Sequence, residues 1–578
     1  MALGTLPACV DAEVEDGETD GFHDGKADGS IDEGSPEALG VLALVNDAAI
    51  TSAKLKADAH LTARVAGNIT KHRNGADGQP GTADDDTYDT LGELDAVPYV
   101  GPATLSALLE LARDRGLVGG AGAKISVIFS PQVAEATHNA KIATMIRGAQ
   151  KTIDISIYSY SDAGISAALA DAVTRGVKVR FLFETASDDR KLVDAAARAA
   201  TKSGKLEAQG IDVRWVNKIL HHKFLIVDGP RDDKSKAASA KIAMGSANWS
   251  NTGATVYDEN TMFIENSAEI AAAFQHEFDQ LWWGSRDFVG PATVQGASTA
   301  SITVGDVPDQ PGIELLLTSP NFKLGGSEHA TWSVDKTSTV VTNQWVAAID
   351  RAQTSIHIAS GHMRLRPVAE ALVKKKHDFP NLDIKVYLDQ QEYISASGNA
   401  AQLAELAACR SGAATPQQLA DCARNDFLFA KTLVDGGITV RFKSFAYRWD
   451  ASYAAQMHSK YMVVDGKEII SGSFNLSMNS EQGTFENALH LTGAQYAPVY
   501  SAFEQNFGKI FETGRAQDLL GELRTQIGTA ATIPLTFPPM ALTYSEFDQL
   551  RQLIRANCTV VDSADYRDNA PAHKTCPR

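Results

Sequence analysis

From Lys124 onward, apolar and polar positions follow two periods in turn. "KISVIFSP" is a short apolar run, "KIATMIRGAQ" has helical spacing, "TIDISIYSYS" alternates strictly, "GISAALADAVTRG" is helical and closed by Gly176, and "VKVRFLFE" is again strand-like. Such alternation predicts an α/β layered domain. The same order then recurs between Ile313 and Gln390 as "IELLLTSP", "QWVAAIDRAQ", "SIHIASGHM", "PVAEALVKKK" and "DIKVYLDQ". "GIDVRWV" (Gly210 to Val216) and "GITVRFK" (Gly437 to Lys443) occupy matching later places. A repeat of about 200 residues is too long for a solenoid unit and reads as a duplicated domain.

Ahead of Lys124 the pattern is helical. In "LDAVPYVGPATLSALLELA" (Leu94 to Ala112), Leu105, Leu108, Leu109 and Ala112 share one helix face after a Val-Gly-Pro turn. Cys9 to Glu37 is rich in Asp, Glu and Gly with almost no large apolar residues, the composition of a disordered acidic tether. The expected organisation is a tether over 1–37, a small helical domain over 38–120, α/β domains over 124–295 and 310–515, and a C-terminal extension over 516–578.

Each repeat carries one recurring chemical pattern. "HHKFLIVDG" spans His221 to Gly229 and "HSKYMVVDG" spans His458 to Gly466. Strand periodicity puts His221 and Lys223 on one face and His222 and Phe224 on the other, and His458 and Lys460 pair likewise opposite Ser459. By that parity His222 is a packing or supporting residue. After each Asp-Gly turn comes a second strand-like element, "AMGSANWS" or "ISGSFNLS", where Ser246 and Asn248, or Ser473 and Asn475, share a face. Neighbouring strands then bring an imidazole, an ammonium, a hydroxyl and an amide together, a set suited to a phosphate oxyanion. Glu259 and Glu486 each follow 11 residues after the Asn, and a Glu behind a catalytic His fixes its tautomer. Asp228 and Asp465 begin Asp-Gly turns and serve as turn residues at least as readily as catalytic ones. His362, in "ASGHMRLRP", is assigned to the surface or the core ahead of a pocket wall. One asymmetry is spacing: His221 to Asn248 is 27 residues and His458 to Asn475 is 17, the extra "GPRDDKSKAASAK" reading as an extended hairpin loop.

Two such patterns with their companions in order resemble the paired HKD motifs of the phospholipase D superfamily, over roughly Lys124 to Thr513. The resemblance implies two tandem α/β/α sandwich domains about a pseudo-twofold axis, a monomer with an internal pseudo-dimer. It implies His221 as nucleophile through a phosphohistidine intermediate and His458 as general acid, then base. Lys223, Lys460, Asn248, Asn475, Ser246 and Ser473 would hold the phosphate, and Glu259 and Glu486 would orient the imidazoles. No metal or other cofactor is required by that set. Family members with both motifs in one chain act largely on phospholipids, which implies head-group hydrolysis or transfer at a membrane surface. The alternative is a metal-independent endonuclease on DNA or RNA, and the least favoured reading is an inactive binding protein.

Charge weighs between these. With 53 Lys+Arg against 71 Asp+Glu the net charge is −18, which opposes non-specific attraction to nucleic acid. The Leu94 to Ala112 stretch resembles a helix-hairpin-helix motif, whose hairpin presents amides to nucleic-acid phosphate, yet Pro102 removes a donor and "GADGQPGTADDD" places carboxylates nearby. A small helical domain that binds no DNA is the simpler reading, and the Asp run lacks the Glu that ends an EF-hand loop. Cys409 with Cys422, and Cys558 with Cys576, would form two local disulfides, leaving Cys9; the alternative is five free thiols. "LPAC", ending at Cys9, resembles the lipobox of bacterial lipoproteins, although "MALGTLPA" shows no positive n-region or full h-region, so no signal peptide is evident. The expected location is extracytoplasmic: secreted, periplasmic or lipid-anchored. No apolar run reaches the roughly 18 residues needed to cross a bilayer.

Overall fold

A computed structural model describes residues 31, 33, 36–82, 84–115, 117, 123–290, 302–325, 331–422 and 427–577. The chain forms two compact units, Met1–Gly122 and Ala123–Arg578. Cys9 and nearly all of the segment expected as a tether lie outside the described residues, and a helix already begins at Pro36.

The first unit is helical: Pro36–Asn46, Ser52–Asp58, Ala63–Arg73, Leu91–Ala96 and Pro102–Asp114. Thr51, Thr62 and Thr90 cap three of these by accepting the amides of Lys54, Val65 and Glu93, which satisfies N–H groups that a helix start leaves unpaired. Val41, Leu44, Leu55, Ile69, Leu94 and Leu108 are buried together. Carboxylates of the acidic run close their own loop, Asp84 accepting from the amides of Ala76 and Asp77 and Asp85 from that of Gly81.

The second unit is mixed α/β with two eight-stranded sheets of identical connectivity. Across the first sheet the strands are Lys124–Ser130, Glu259–Glu265, Lys241–Gly245, Lys223–Val227, Thr152–Ile157, Lys178–Phe183, Asp212–Val216 and Ser285–Asp287. Across the second they are Ile313–Leu317, Asn487–Leu491, Glu468–Gly472, Lys460–Val464, Ser355–Ser360, Asp383–Asp389, Thr439–Ala446 and Thr536–Thr543. The three central strands of each βαβ half run parallel, and each motif strand joins them antiparallel, Ile157 opposite Lys223 and Ser360 opposite Lys460. The sequence reading ends the second α/β domain at 515, but the chain beyond it supplies this sheet's last strand. Helix Tyr544–Asn557 follows and buries Phe547, Leu550 and Ile554 in the same core. The disulfides Cys409–Cys422 and Cys558–Cys576 are both formed.

Both motif strands are buried along their whole length, and their side chains divide by parity. Phe224 and Ile226 meet Tyr461 and Val463 in one core shared by the two repeats, with Phe274 and Phe278 of helix Ala268–Trp283 and Phe503 and Phe507 of helix Ala497–Phe511. Leu225 and Val227 face an outer core with helices His138–Gly148 and Ala163–Thr174, while Met462 and Val464 face the outer core of the second repeat. Each sheet therefore lies between helical layers, with the repeats joined by the inner one.

Asp228 and Asp465 stand at the far end of the motif strands in the left-handed region, with φ of 49° and 54°. The Asp228 carboxylate accepts the amides of Gln150, Lys151 and Thr152, and Asp465 accepts those of Gln353, Thr354 and Ser355. Each motif Asp thus ties its turn to the start of the neighbouring strand and sets the register that places His and Lys. Asp465→Ala leaves three amides without their acceptor and is expected to lower the apparent melting temperature by about 2–6 °C. A variant that melts unchanged while losing all activity would instead make this residue catalytic.

Candidate active site

At the opposite end of the motif strands the two repeats exchange side chains. The His221 amide donates to the Phe485 carbonyl at 3.0 Å, and its Nδ1 lies 2.8 Å from the carboxylate of Glu486, the next residue. The second repeat reciprocates: the His458 amide donates to the Asp258 carbonyl at 2.9 Å, and its Nδ1 lies 2.6 Å from Glu259. Sequence order supplied these Glu residues but not the crossing, in which each imidazole is oriented by the other repeat. Glu259 and Glu486 are buried, which raises a carboxyl's pKa, but the facing imidazole and nearby ammonium groups outweigh this and keep both low. An ionised carboxylate only accepts, so Nδ1 of each ring carries the proton and Nε2 presents its lone pair.

Ser246 and Ser473, expected among the phosphate ligands, do something else. Both are fully buried, and their hydroxyls donate to Glu259 at 2.7 Å and Glu486 at 2.6 Å while accepting the amides of Asn260 and Asn487. They lock the carboxylates that lock the histidines. Asn248 and Asn475 are left for a ligand: neither carboxamide has a hydrogen-bond partner among the described residues. Lys223 and Lys460 each donate to the carbonyl of their own motif His, which leaves the remaining N–H bonds of each ammonium available.

Burial lowers the Lys223 pKa to about 7 and that of Lys460 to about 8. It also holds both imidazoles down near 4, the Glu partners opposing the shift and the two ammonium groups adding to it. The rings stay accessible, with 12% and 19% of their side-chain surface exposed. Both imidazoles are thereby held neutral, and a phosphate anion beside them would offset the ammonium groups and favour one imidazolium.

His222 is buried as parity predicted. Its Nδ1 meets Asn487 and its Nε2 meets Glu277, both at 3.0 Å, so it stitches the repeats behind the His221 ring. Sequence reasoning missed a second symmetric pair. The Glu184 carboxylate accepts the Leu220 amide at 2.6 Å and Asp389 accepts the Met457 amide at 3.0 Å, in each case the residue just before the motif His. Burial pushes both carboxyls up to about 7. Equivalent positions at the ends of the Lys178–Phe183 and Asp383–Asp389 strands were the available signal. His362, assigned to surface or core, lines a cavity beside His221 together with Arg364.

The family model "Cardiolipin synthase, PLD-like domain" matches residues 142–282 and 345–511, together more than half of the chain. The chain belongs to this phospholipase D-like family. It is similar to the "Mitochondrial cardiolipin hydrolase" of Xenopus tropicalis, 26% identical over 144 residues covering 25% of this chain and 60% of that one. It also resembles the "Phospholipase D" of Rickettsia conorii, 31% identical over 153 residues covering 26% and 66%. The match thus spans less than two thirds of these relatives. Among solved structures, the phosphatidylserine synthase of Haemophilus influenzae aligns at a TM-score of 0.43 and 14% identity, covering 77% of this chain and 94% of that one.

Glu486→Gln keeps an acceptor but removes the charge that stabilises a His221 imidazolium and fixes its tautomer. Phosphodiesterase kcat is expected to fall by about 10²–10⁴, with KM changed little, in steady-state assays. Oxyanion binding should follow the lysines: tungstate affinity is expected to drop at least about tenfold between pH 6.5 and pH 9 as the ammonium groups lose their protons. A flat profile by calorimetry would remove the lysines from the oxyanion site.

Proposed function

We propose that this protein is a phospholipase D-type phosphodiesterase that cleaves or exchanges phospholipid head groups through a covalent phosphohistidine. The observation that carries it is the crossed pair of His–Glu dyads, each with Nε2 unpartnered among the described residues, beside two lysines and two asparagines whose carboxamides are likewise unpartnered there. His221 Nε2 attacks phosphorus, the P–O bond to the leaving group breaks, and the His458 imidazolium protonates the departing alkoxide. His458, now neutral, takes a proton from water, the hydroxide attacks phosphorus, and the P–N bond to His221 breaks. An alcohol in place of water gives head-group transfer from the same intermediate. Lys223, Lys460, Asn248 and Asn475 hold the non-bridging oxygens throughout, which supplies the charge stabilisation this chemistry needs.

Lipid as substrate is favoured by the lipid-acting relatives and by the acidic net charge. An extracytoplasmic setting is supported by the two disulfides. A nuclease reading draws on one observation, the helical hairpin Leu91–Ala96 and Pro102–Asp114.

The deciding assay incubates the protein, in the presence of a chelator, with phosphatidylcholine and phosphatidylglycerol vesicles and in parallel with single- and double-stranded DNA. Phosphatidic acid or free head group is expected to form with wild type and to vanish in His221→Ala. DNA cleavage with intact lipid would overturn the lipid reading and give the helical hairpin its role.

A further inference from the structure

The catalytic dyads obey the internal symmetry, but the wall beside His221 does not. A cavity of about 250 Å³ there is lined by Asn475, Glu486, His362 and Arg364 among others. Backbone hydrogen bonds fix the equivalent positions in the other repeat. The Tyr158 amide donates to the His222 carbonyl as Gly361 does to Ser459, and Ser161 donates to Trp249 as Arg364 does to Leu476. The register therefore sets Ser159 against His362 and Ser161 against Arg364. One repeat offers two hydroxyls where the other offers a guanidinium and an imidazole.

Those two side chains are held by one buried carboxylate. Glu392 accepts from His362 Nδ1 at 3.0 Å, from Arg364 Nε at 2.9 Å and Nη2 at 2.8 Å, and from the Met363 amide at 3.0 Å. Burial opposes its ionisation, yet His362 and Arg364 keep its pKa low, so it acts as an acceptor throughout. Arg364 Nη1 and His362 Nε2 have no partner among the described residues, and about a quarter of each side chain is exposed. A buried ion pair is costly relative to apolar packing, so a wall built this way needs a reason beyond stability. A pre-oriented guanidinium with an open Nη edge is suited to a carboxylate or phosphate oxygen.

We propose that Arg364, with His362 beside it, forms a subsite for a second anionic group of the substrate, a carboxylate or another phosphate near the scissile phosphorus. The inference rests on the reading that this site cleaves phosphodiesters. Arg364 Nη1 donates to the second anion, and His362, whose Nδ1 is turned to Glu392, presents Nε2 to a hydroxyl or ammonium carried next to it. Diesters with a purely neutral or cationic head group leave Arg364 unmatched.

The test is calorimetric titration of the full-length protein with two matched pairs of ligands. O-phosphoserine and phosphoethanolamine differ by one carboxylate, and glycerol 1,3-bisphosphate and glycerol 3-phosphate differ by one phosphate. At least one anionic member is expected to bind about tenfold or more tightly than its match, Arg364→Gln to erase that preference, and Arg364→Lys to restore part of it. The pair that responds distinguishes the carboxylate from the second phosphate. Equal binding within both pairs by wild type, or a variant that weakens all four ligands alike, overturns the subsite. Should Arg364→Gln fail to fold by circular dichroism, the wild-type preference and Arg364→Lys still decide. Because binding is read directly, a protein that prefers the second anion but cleaves no diester refutes the proposed function alone. Diester cleavage without that preference refutes the subsite alone.

Discussion

The structure depends on one constraint: each motif imidazole must lie against a carboxylate from the other repeat. A backbone bond and a side-chain bond run side by side at both places, His221 to Phe485 and Glu486, His458 to Asp258 and Glu259. Two bonds from adjacent residues fix direction as well as distance, which a lone side-chain contact cannot do. The shared apolar core, with Phe224 and Ile226 packed near Tyr461 and Val463, supplies the rigid floor for this exchange. His222, bonded to Asn487 and Glu277, adds a third tie across the same boundary.

The site is also a concentration of buried charge. Two lysines, two glutamates and two histidines lie within electrostatic reach of one another, and each imidazole is affected by both lysines. Removing such groups from water is unfavourable, and every carboxylate here is met by several donors that offset it. The consequence is functional: burial makes the imidazoles neutral and the ammonium groups easily deprotonated. Those are properties that an anionic diester is well placed to reverse on arrival.

Much of this was legible in the sequence. Period-two and period-3.6 runs gave the α/β class, the recurrence gave the duplication, and parity alone separated His221 and Lys223 from His222 and Phe224. What was not legible depends on contacts between distant segments. Spacing placed Ser246 and Ser473 beside the site, but their burial, which turns them toward glutamate rather than phosphate, is a tertiary fact. Glu184 and Asp389 carry no motif, and their role follows from the strand ends on which they sit. The segment after 515 reads as an appendage because no periodicity reveals which edge a strand will join. Its antiparallel pairing, from Arg441 opposite Thr543 to Ala446 opposite Thr536, shows it to be the border of the second sheet.

The crossing also orders events in the making of the molecule. His221 waits for Glu486, which lies 265 residues further along the chain, whereas His458 finds Glu259 already made 199 residues before it. When only the first repeat has been made, the His221 imidazole lacks the carboxylate that orients it. The crossed pair of imidazole–carboxylate contacts is complete only after the second repeat has emerged and docked. The full set of side chains around this cleft is thereby the last feature to be assembled as the chain is made.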